Sequence, residues 1–440
     1  MPESAPKQIR LAINLLASGR HNASWKTLDQ PETLSTDIDH FIRIAKTAER
    51  GLLDGVFLAD NYAGFPPEAY GRPWRAIAPG VLLSALAMHT SRIGLVLTAP
   101  ALFGDPASLA REISSLDHVS KGRGAWNIIT SQHEHQLAVL GADGELPRDA
   151  KYDKADEYVS IVTRLWESLP PSAITADAAR HAYVDRTRLR PVDVQGDYYR
   201  SAGVLGITGG YNGQRPVIVQ AGASDSSKQF GSKWADALFT SHWEKPSAQE
   251  FYRDVKAYAE NKWHRDPGKL LVVPGVYPVL GSTETEAIQR KADLDDQLDL
   301  EQLKGKLAEL LGVDTTDLDL ARELPYGKIP AADPEKPEGH VRREKVVESA
   351  RERGATARTV LLEYITGGHR VVVGTAEQVA DDLTGWVDSD ACDGFNFNID
   401  RYPDGLEHLV DWLVPELQAR GRFRTEYESA TFRGNLGLGS

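Results

Sequence analysis

The 440-residue chain is 41% hydrophobic and 26% charged, the composition of an ordinary soluble globular protein. Its net charge of −13 excludes sequence-independent binding to nucleic acid, which needs a basic surface. The opening MPESAPKQIR lacks a secretory apolar run, and no stretch approaches the roughly 20 apolar residues of a membrane span. The single cysteine, Cys392, leaves no internal disulfide and no multi-cysteine metal site, so a cytoplasmic protein is expected.

Short apolar runs recur along the chain, each followed by a segment of helical spacing. A first strand is expected at 9–16, then a helix over 37–50 with Gly51 at its C-cap. A second strand at 54–60 precedes a helix at 79–90, which Pro79 opens. A third strand (92–98), a helix (106–118), a fourth strand (124–130) and a helix (151–168) follow. The fifth strand is 216–220, followed by a helix at Asp225–Trp234. Ala237–Thr240 is a short sixth strand, 270–280 a seventh and 394–399 an eighth, before a last helix at 406–419.

Eight strands alternating with helices predict an α/β protein, a (β/α)8 TIM barrel, with a doubly wound open sheet as the competitor. A bare barrel uses about 250 residues. The surplus falls at 61–78, 169–215 and the charged, helix-patterned 284–360, which a Pro-rich stretch interrupts at 325–339. The strand rhythm resumes after each, so they are read as insertions in one barrel domain spanning 1–440.

Barrel chemistry sits at the C-terminal strand ends. Residues 122–131, GRGAWNIITS, place Asn127 inside an apolar strand that runs into Thr130 and Ser131. A buried amide is costly without a partner, and a polar ligand at the strand end supplies one. Asp60, Thr98, Gln220 and Ser224 fall at other strand ends, each with a local alternative as a turn, a carbonyl partner or a helix cap. In Gln220–Ser227 (QAGASDSS), Gly222 permits close backbone approach, and hydroxyls gather where a helix begins, which suits a phosphate; Asp225 opposes it unless turned away. His133-Glu134-His135 lacks a shared helix face and a third metal ligand, and GGYNG at 209–213 does not bridge a strand and a helix.

These segments resemble the nitrilotriacetate/dibenzothiophene-sulfone monooxygenase family, within the bacterial-luciferase-like flavoproteins. The resemblance rests on LAD (58–60), SRIGLVLT (91–98), AREISSLDHVSKGRGAWNIITS (110–131), KYDKADEYV (151–159), PVIVQAGAS (216–224), VVGTAEQVADDL (372–383) and DGFNFNI (393–399). It implies a two-component monooxygenase that takes FMNH2 from a separate NAD(P)H-dependent flavin reductase. One atom of O2 goes to a small organic substrate and the other leaves as water. It implies flavin contacts at Asp60, Thr98, Tyr152 and Ser224, the last on the phosphate, with Asn127 close by, and a homo-dimer or homo-tetramer. In one place the chain departs: Arg148 stands where the family usually carries a histidine, four residues before Tyr152. Arginine pairs bidentately with phosphate but is no general base, so Arg148 is expected to contact the FMN phosphate or an anionic substrate.

A deazaflavin- or flavin-dependent reductase or dehydrogenase on the same barrel is one rival, and a non-catalytic ligand-binding barrel another. Tyr62, Phe65, Tyr70, Trp74, Phe103 and Trp243 favour a carbon-rich heterocycle or sulfur compound as substrate.

Overall fold

The computed structural model describes residues 6–60, 71, 73–74, 76–130, 134–140, 144, 146–331, 337–366 and 368–439, with the backbone alone at 134–136, 148, 337–342 and 345. The strands are β1 (Arg10–Asn14), β2 (Gly55–Leu58), β3 (Gly94–Pro100), β4 (Gly124–Ile129), β5 (Ile174–Asp177), β6 (Ala182–Val184), β7 (Val192–Gln195), β8 (Arg200–Gly203), β9 (Val217–Ala221), β10 (Ala237–Thr240), β11 (Leu271–Leu280), β12 (Arg370–Gly374) and β13 (Gly394–Phe397).

Eight of them close a parallel ring in the order β1-β2-β3-β4-β9-β10-β11-β13 and back to β1. The expected barrel is therefore present, and all eight expected strands belong to it. The short sixth, β10, completes the closure by pairing with both β9 and β11. Three features differ from expectation. Residues 169–215 hold two antiparallel hairpins, β5–β6 and β7–β8. An additional strand, β12, pairs with the far half of β11 (Val276–Leu280) outside the ring. The helix expected at 151–168 begins earlier, at Arg148.

Helix ends follow the local chemistry. Asp37, Asp105 and Ser224 each accept a backbone N–H of the helix they open. The segment 284–360 folds as helices Glu284–Asp295, Leu300–Leu311, Pro337–Arg353 and Ala357–Tyr364. Within it Leu307, Leu311, Val346 and Leu361 bury one another in a small second core.

Period-two alternation divides each barrel strand between two layers. Leu11, Ile13, Leu95, Leu97, Trp126, Ile218, Phe395 and Phe397 face the surrounding helices. Phe57, Val96, Ala125, Val219, Ala237 and Leu271 face the interior. Phe432, from the C-terminal tail, closes the floor. It packs where Gly55 and Gly94 leave room, and a Cβ on Gly94 would stand 2.4 Å from its ring. Asp54 beside that floor accepts Leu11 N at 2.6 Å and pairs with Arg424 of the same tail. The open end is the other one. Among the described residues, no helix is long and apolar enough to cross a membrane.

Candidate active site

The same alternation decides which polar side chains enter the barrel. Thr98 and Asn127 are register partners on β3 and β4, on the face of Val96 and Ala125. Both are buried, and Asn127 Nδ2 donates to Thr98 Oγ1 at 3.0 Å. Among the described residues Asn127 Oδ1 has no partner; with the amide turned round, the other end would be left bare. On the opposite wall Asn14 Nδ2 donates to Asn398 Oδ1 at 3.1 Å, and Asn14 Oδ1 has no partner among the described residues. Asn396 is 1% exposed, and neither atom of its amide is partnered among the described residues. A buried unsatisfied polar group costs roughly 1–3 kcal/mol. Several around one lumen make a wall shaped for a ligand edged with donors and acceptors.

Gln220 takes no part in this wall. It shares the outward face of Ile218, and its Nε2 donates to Ala221 O (2.6 Å) and Ser227 Oγ (2.8 Å), between strand and helix. Its position at a strand end drew attention, but its parity sends it outward. Ser224 caps the helix Asp225–Trp234, its Oγ accepting from Ser227 N at 3.3 Å. Gly222 before it sits at φ +151°, and a Cβ there would lie 2.1 Å from Ser227 Oγ, so the turn accepts only glycine. The Asp225 carboxylate is engaged by Tyr258 Oη (2.9 Å) and Gln229 Nε2 (2.7 Å), whose hydrogen bonds hold its pKa below the usual range.

Tyr152 is half-buried, its ring 5.7 Å from that of Phe230 on the helix that Ser224 opens. Arg148 starts the helix that carries Tyr152, one turn earlier, and its side chain lies outside the described residues. Asp60 is half-buried just beyond β2. Thr130 is buried, whereas Ser131 and His133 lie outside the described residues, as do the side chains of Glu134 and His135. The structure thus brings Thr98 and Asn127 into contact, and Tyr152 onto the unit that Ser224 caps. Gly209–Gly213 belongs to the opposite end, where Tyr211 N donates to Asp117 Oδ2 at 2.7 Å.

Sequence reasoning missed Asn14, Asn396, Asn398 and His369. The FNFN alternation at 395–398 carried the signal for two of them. His369 precedes β12 and is buried, with its ring where a Gly275 side chain would be; a Cβ there would lie 2.3 Å from Nδ1.

Behind the mouth, Asp404 receives hydrogen bonds from Arg401 and from Arg290 Nη1 (2.7 Å). Burial alone would raise its pKa, but these bonds hold it far below the usual carboxylate range. A depressed folded-state pKa adds stability above the unfolded value, about 3.8, and that stability is lost as pH falls below it. Asp404→Asn is therefore expected to lower the urea midpoint at pH 7, with the difference shrinking below about pH 4. A pH-independent difference would count against the ion pair.

The sequence pattern of luciferase-like monooxygenases matches residues 18–391. The chain is 37% identical to the N-acetyl-S-(2-succino)cysteine monooxygenase of Bacillus subtilis (strain 168), over 99% of this chain and 98% of that protein. It is 34% identical to nitrilotriacetate monooxygenase component A of Aminobacter aminovorans, over 99% and 97%. Among solved structures it is similar to riboflavin lyase with modified FMN and substrate riboflavin, with a TM-score of 0.81 and 28% identity over 99% and 96% of the two chains. With an eight-stranded closed barrel, a polar mouth and relatives matched along nearly their whole length, this chain belongs to the luciferase-like monooxygenase family.

Proposed function

We propose that this chain is the oxygenase of a two-component flavin monooxygenase. It takes FMNH2 from a separate NAD(P)H:flavin reductase and, with O2, oxygenates a small organic molecule. The observation that carries this reading is the set of amide atoms at Asn14, Asn127 and Asn396 that have no partner among the described residues, buried in the mouth of a barrel of this family. A flavin ring edged with N–H and C=O groups fits such a wall. The relative named component A supports an enzyme divided between two proteins.

When bound, reduced FMN supplies the electrons that reduce O2. The chain's own residues hold and shield it. Thr98 and Asn127 would face the ring system, Ser224 and its turn would meet the phosphate, and Asp60, Arg148 and Tyr152 would complete the rim. Asp225, held by Tyr258 and Gln229, leaves the helix N-terminus to the anion. The floor closed by Phe432 keeps water from entering below.

A sulfur compound or carbon-rich heterocycle suits the substrate, and the first of these agrees with the sulfur compound in the name of the Bacillus subtilis relative. Of the aromatic residues expected to shape its pocket, Trp74 is exposed, Phe103 half-buried and Trp243 packed on the second core; Tyr62, Phe65 and Tyr70 lie outside the described residues. We read the chain as one barrel domain with insertions, cytoplasmic, a homo-dimer or homo-tetramer, and without nucleic-acid or membrane partners.

The test is incubation with FMN, a reductase, NADH and a substrate panel, followed by mass spectrometry. The expected result is an oxygen-dependent product heavier by one oxygen atom, or its cleavage product. Substrate turnover without oxygen would favour hydride transfer, and absence of FMN binding would favour a ligand-binding barrel. Arg148→Ala is expected to weaken FMN or anionic-substrate binding on the order of 10–100-fold, the worth of a charged hydrogen bond. Titration of both ligands checks it; unchanged affinity for both removes Arg148 from the site.

A further inference from the structure

We propose that His369 is a catalytic residue of this site, its imidazole facing the ligand in the barrel mouth and exchanging a proton with it. The inference rests on the flavin reading above. Gly275 faces the interior, because Leu271 and Val273 on the same face pack with the interior cluster while Val272 and Val276 join the outer layer. The imidazole fills the place of the missing Gly275 side chain. It also lies 5.7 Å from the ring of Phe239, itself 5.5 Å from interior Phe57. Gly275 is the register partner of Asn396, so the imidazole stands beside the residue whose amide has no partner among the described residues.

The loop is built to hold that ring. Ser241 Oγ donates to Gly368 O, and Arg20 Nε donates to Thr366 O at 2.7 Å. Thr366 Oγ1 donates to Glu363 O at 2.6 Å, and Gly368 takes a φ of +78°. The charged and titratable groups on the elements packed about it are paired or buried. Arg370 pairs with Asp382, Arg353 with Glu363 and Arg290 with Asp400. His242 contacts Thr240 Oγ1 at 3.1 Å, and Tyr277, further along β11, has its phenol pushed up by burial.

The chemistry moves protons that such a group can relay. FMNH2 gives up two electrons and two protons; one oxygen atom joins the substrate and the other leaves as water. The imidazolium gives its proton to the departing oxygen and recovers one from the flavin as it is oxidised, so atoms and electrons balance.

Without a substrate both oxygen atoms leave as H2O2 and take both protons of FMNH2, so the same proton transfer is read with no identified substrate. FMN affinity is measured by fluorescence quenching, and the return of oxidised-flavin absorbance when protein-bound FMNH2 meets air is followed from pH 5.5 to 9. Parent, His369→Gln, Gly275→Ala and His242→Asn are compared. His369→Gln is expected to bind FMN within about threefold of the parent, to lose the pH-dependent limb, and to slow reoxidation on the order of 10²-fold. Gly275→Ala keeps the imidazole but drives a methyl into its place, and is expected to show the same signature. A limb that survives in both variants, or one lost in His242→Asn instead, overturns the proposal. A parent that binds no FMN overturns the functional reading itself.

Discussion

Truncating Phe432 to alanine is expected to destabilise the protein by about 3–5 kcal/mol, read as a lowered urea midpoint with an unchanged slope. The ring is 4% exposed and packs with Phe57, Val96 and Leu271 at the barrel floor. The loss has two parts, the transfer free energy of a phenyl group and the cavity left among strands that cannot collapse inward. Gly94 offers an internal control. In the parent, Gly94→Ala forces a methyl to within 2.4 Å of the ring and is destabilising. With Phe432 already truncated, the same methyl enters the vacated space and is expected to recover part of the loss. Costs that simply add would show that the two residues do not share this contact.

Asn127→Leu is expected to cost ligand affinity far more than stability. Leucine keeps the γ-branched shape at a larger volume; it removes a buried amide whose Oδ1 has no partner among the described residues, together with the hydrogen bond given to Thr98 Oγ1. The flavin-free protein should stay within about 1 kcal/mol of the parent, since the relieved desolvation of the bare Oδ1 offsets the lost hydrogen bond to Thr98 and the added volume. FMN binding should weaken about 10–100-fold, the equivalent of roughly 1–3 kcal/mol. Thermal melts without flavin and fluorescence titrations with it check both halves. Parallel losses in the two would make Asn127 a structural residue, and no loss in either would remove it from the site.

The barrel was legible because its signal is local. Runs such as Gly94–Pro100 are long, apolar and fully buried. Even Ala237–Thr240, four residues long, was found from its place in the rhythm. The hairpins at 174–203 were not, since β5 and β6 have three or four residues each, none of them buried. β12 lies outside the ring and is only half-buried over most of its length. The site was legible where function coincided with an anomaly in one strand, as at Asn127. Gln220 was misplaced because position at a strand end was weighed and parity was not. Asn396 and Asn398 alternate with Phe395 and Phe397, but alternation alone does not say which face is the lumen. His369 comes from a loop 94 residues after Gly275, and only the folded chain brings the two together.

The mouth wall of Asn14, Thr98, Asn127, Asn396 and Asn398 carries no formal charge. Ionic strength screens charges, whereas hydrogen bonds in a buried, water-poor cavity are little affected. A riboflavin-sized ring without phosphate should therefore be held equally well in dilute and concentrated buffer. Salt sensitivity seen with FMN and absent with the phosphate-free ring would then report on the phosphate end, so titrating the two ligands against potassium chloride separates the two halves of the grip.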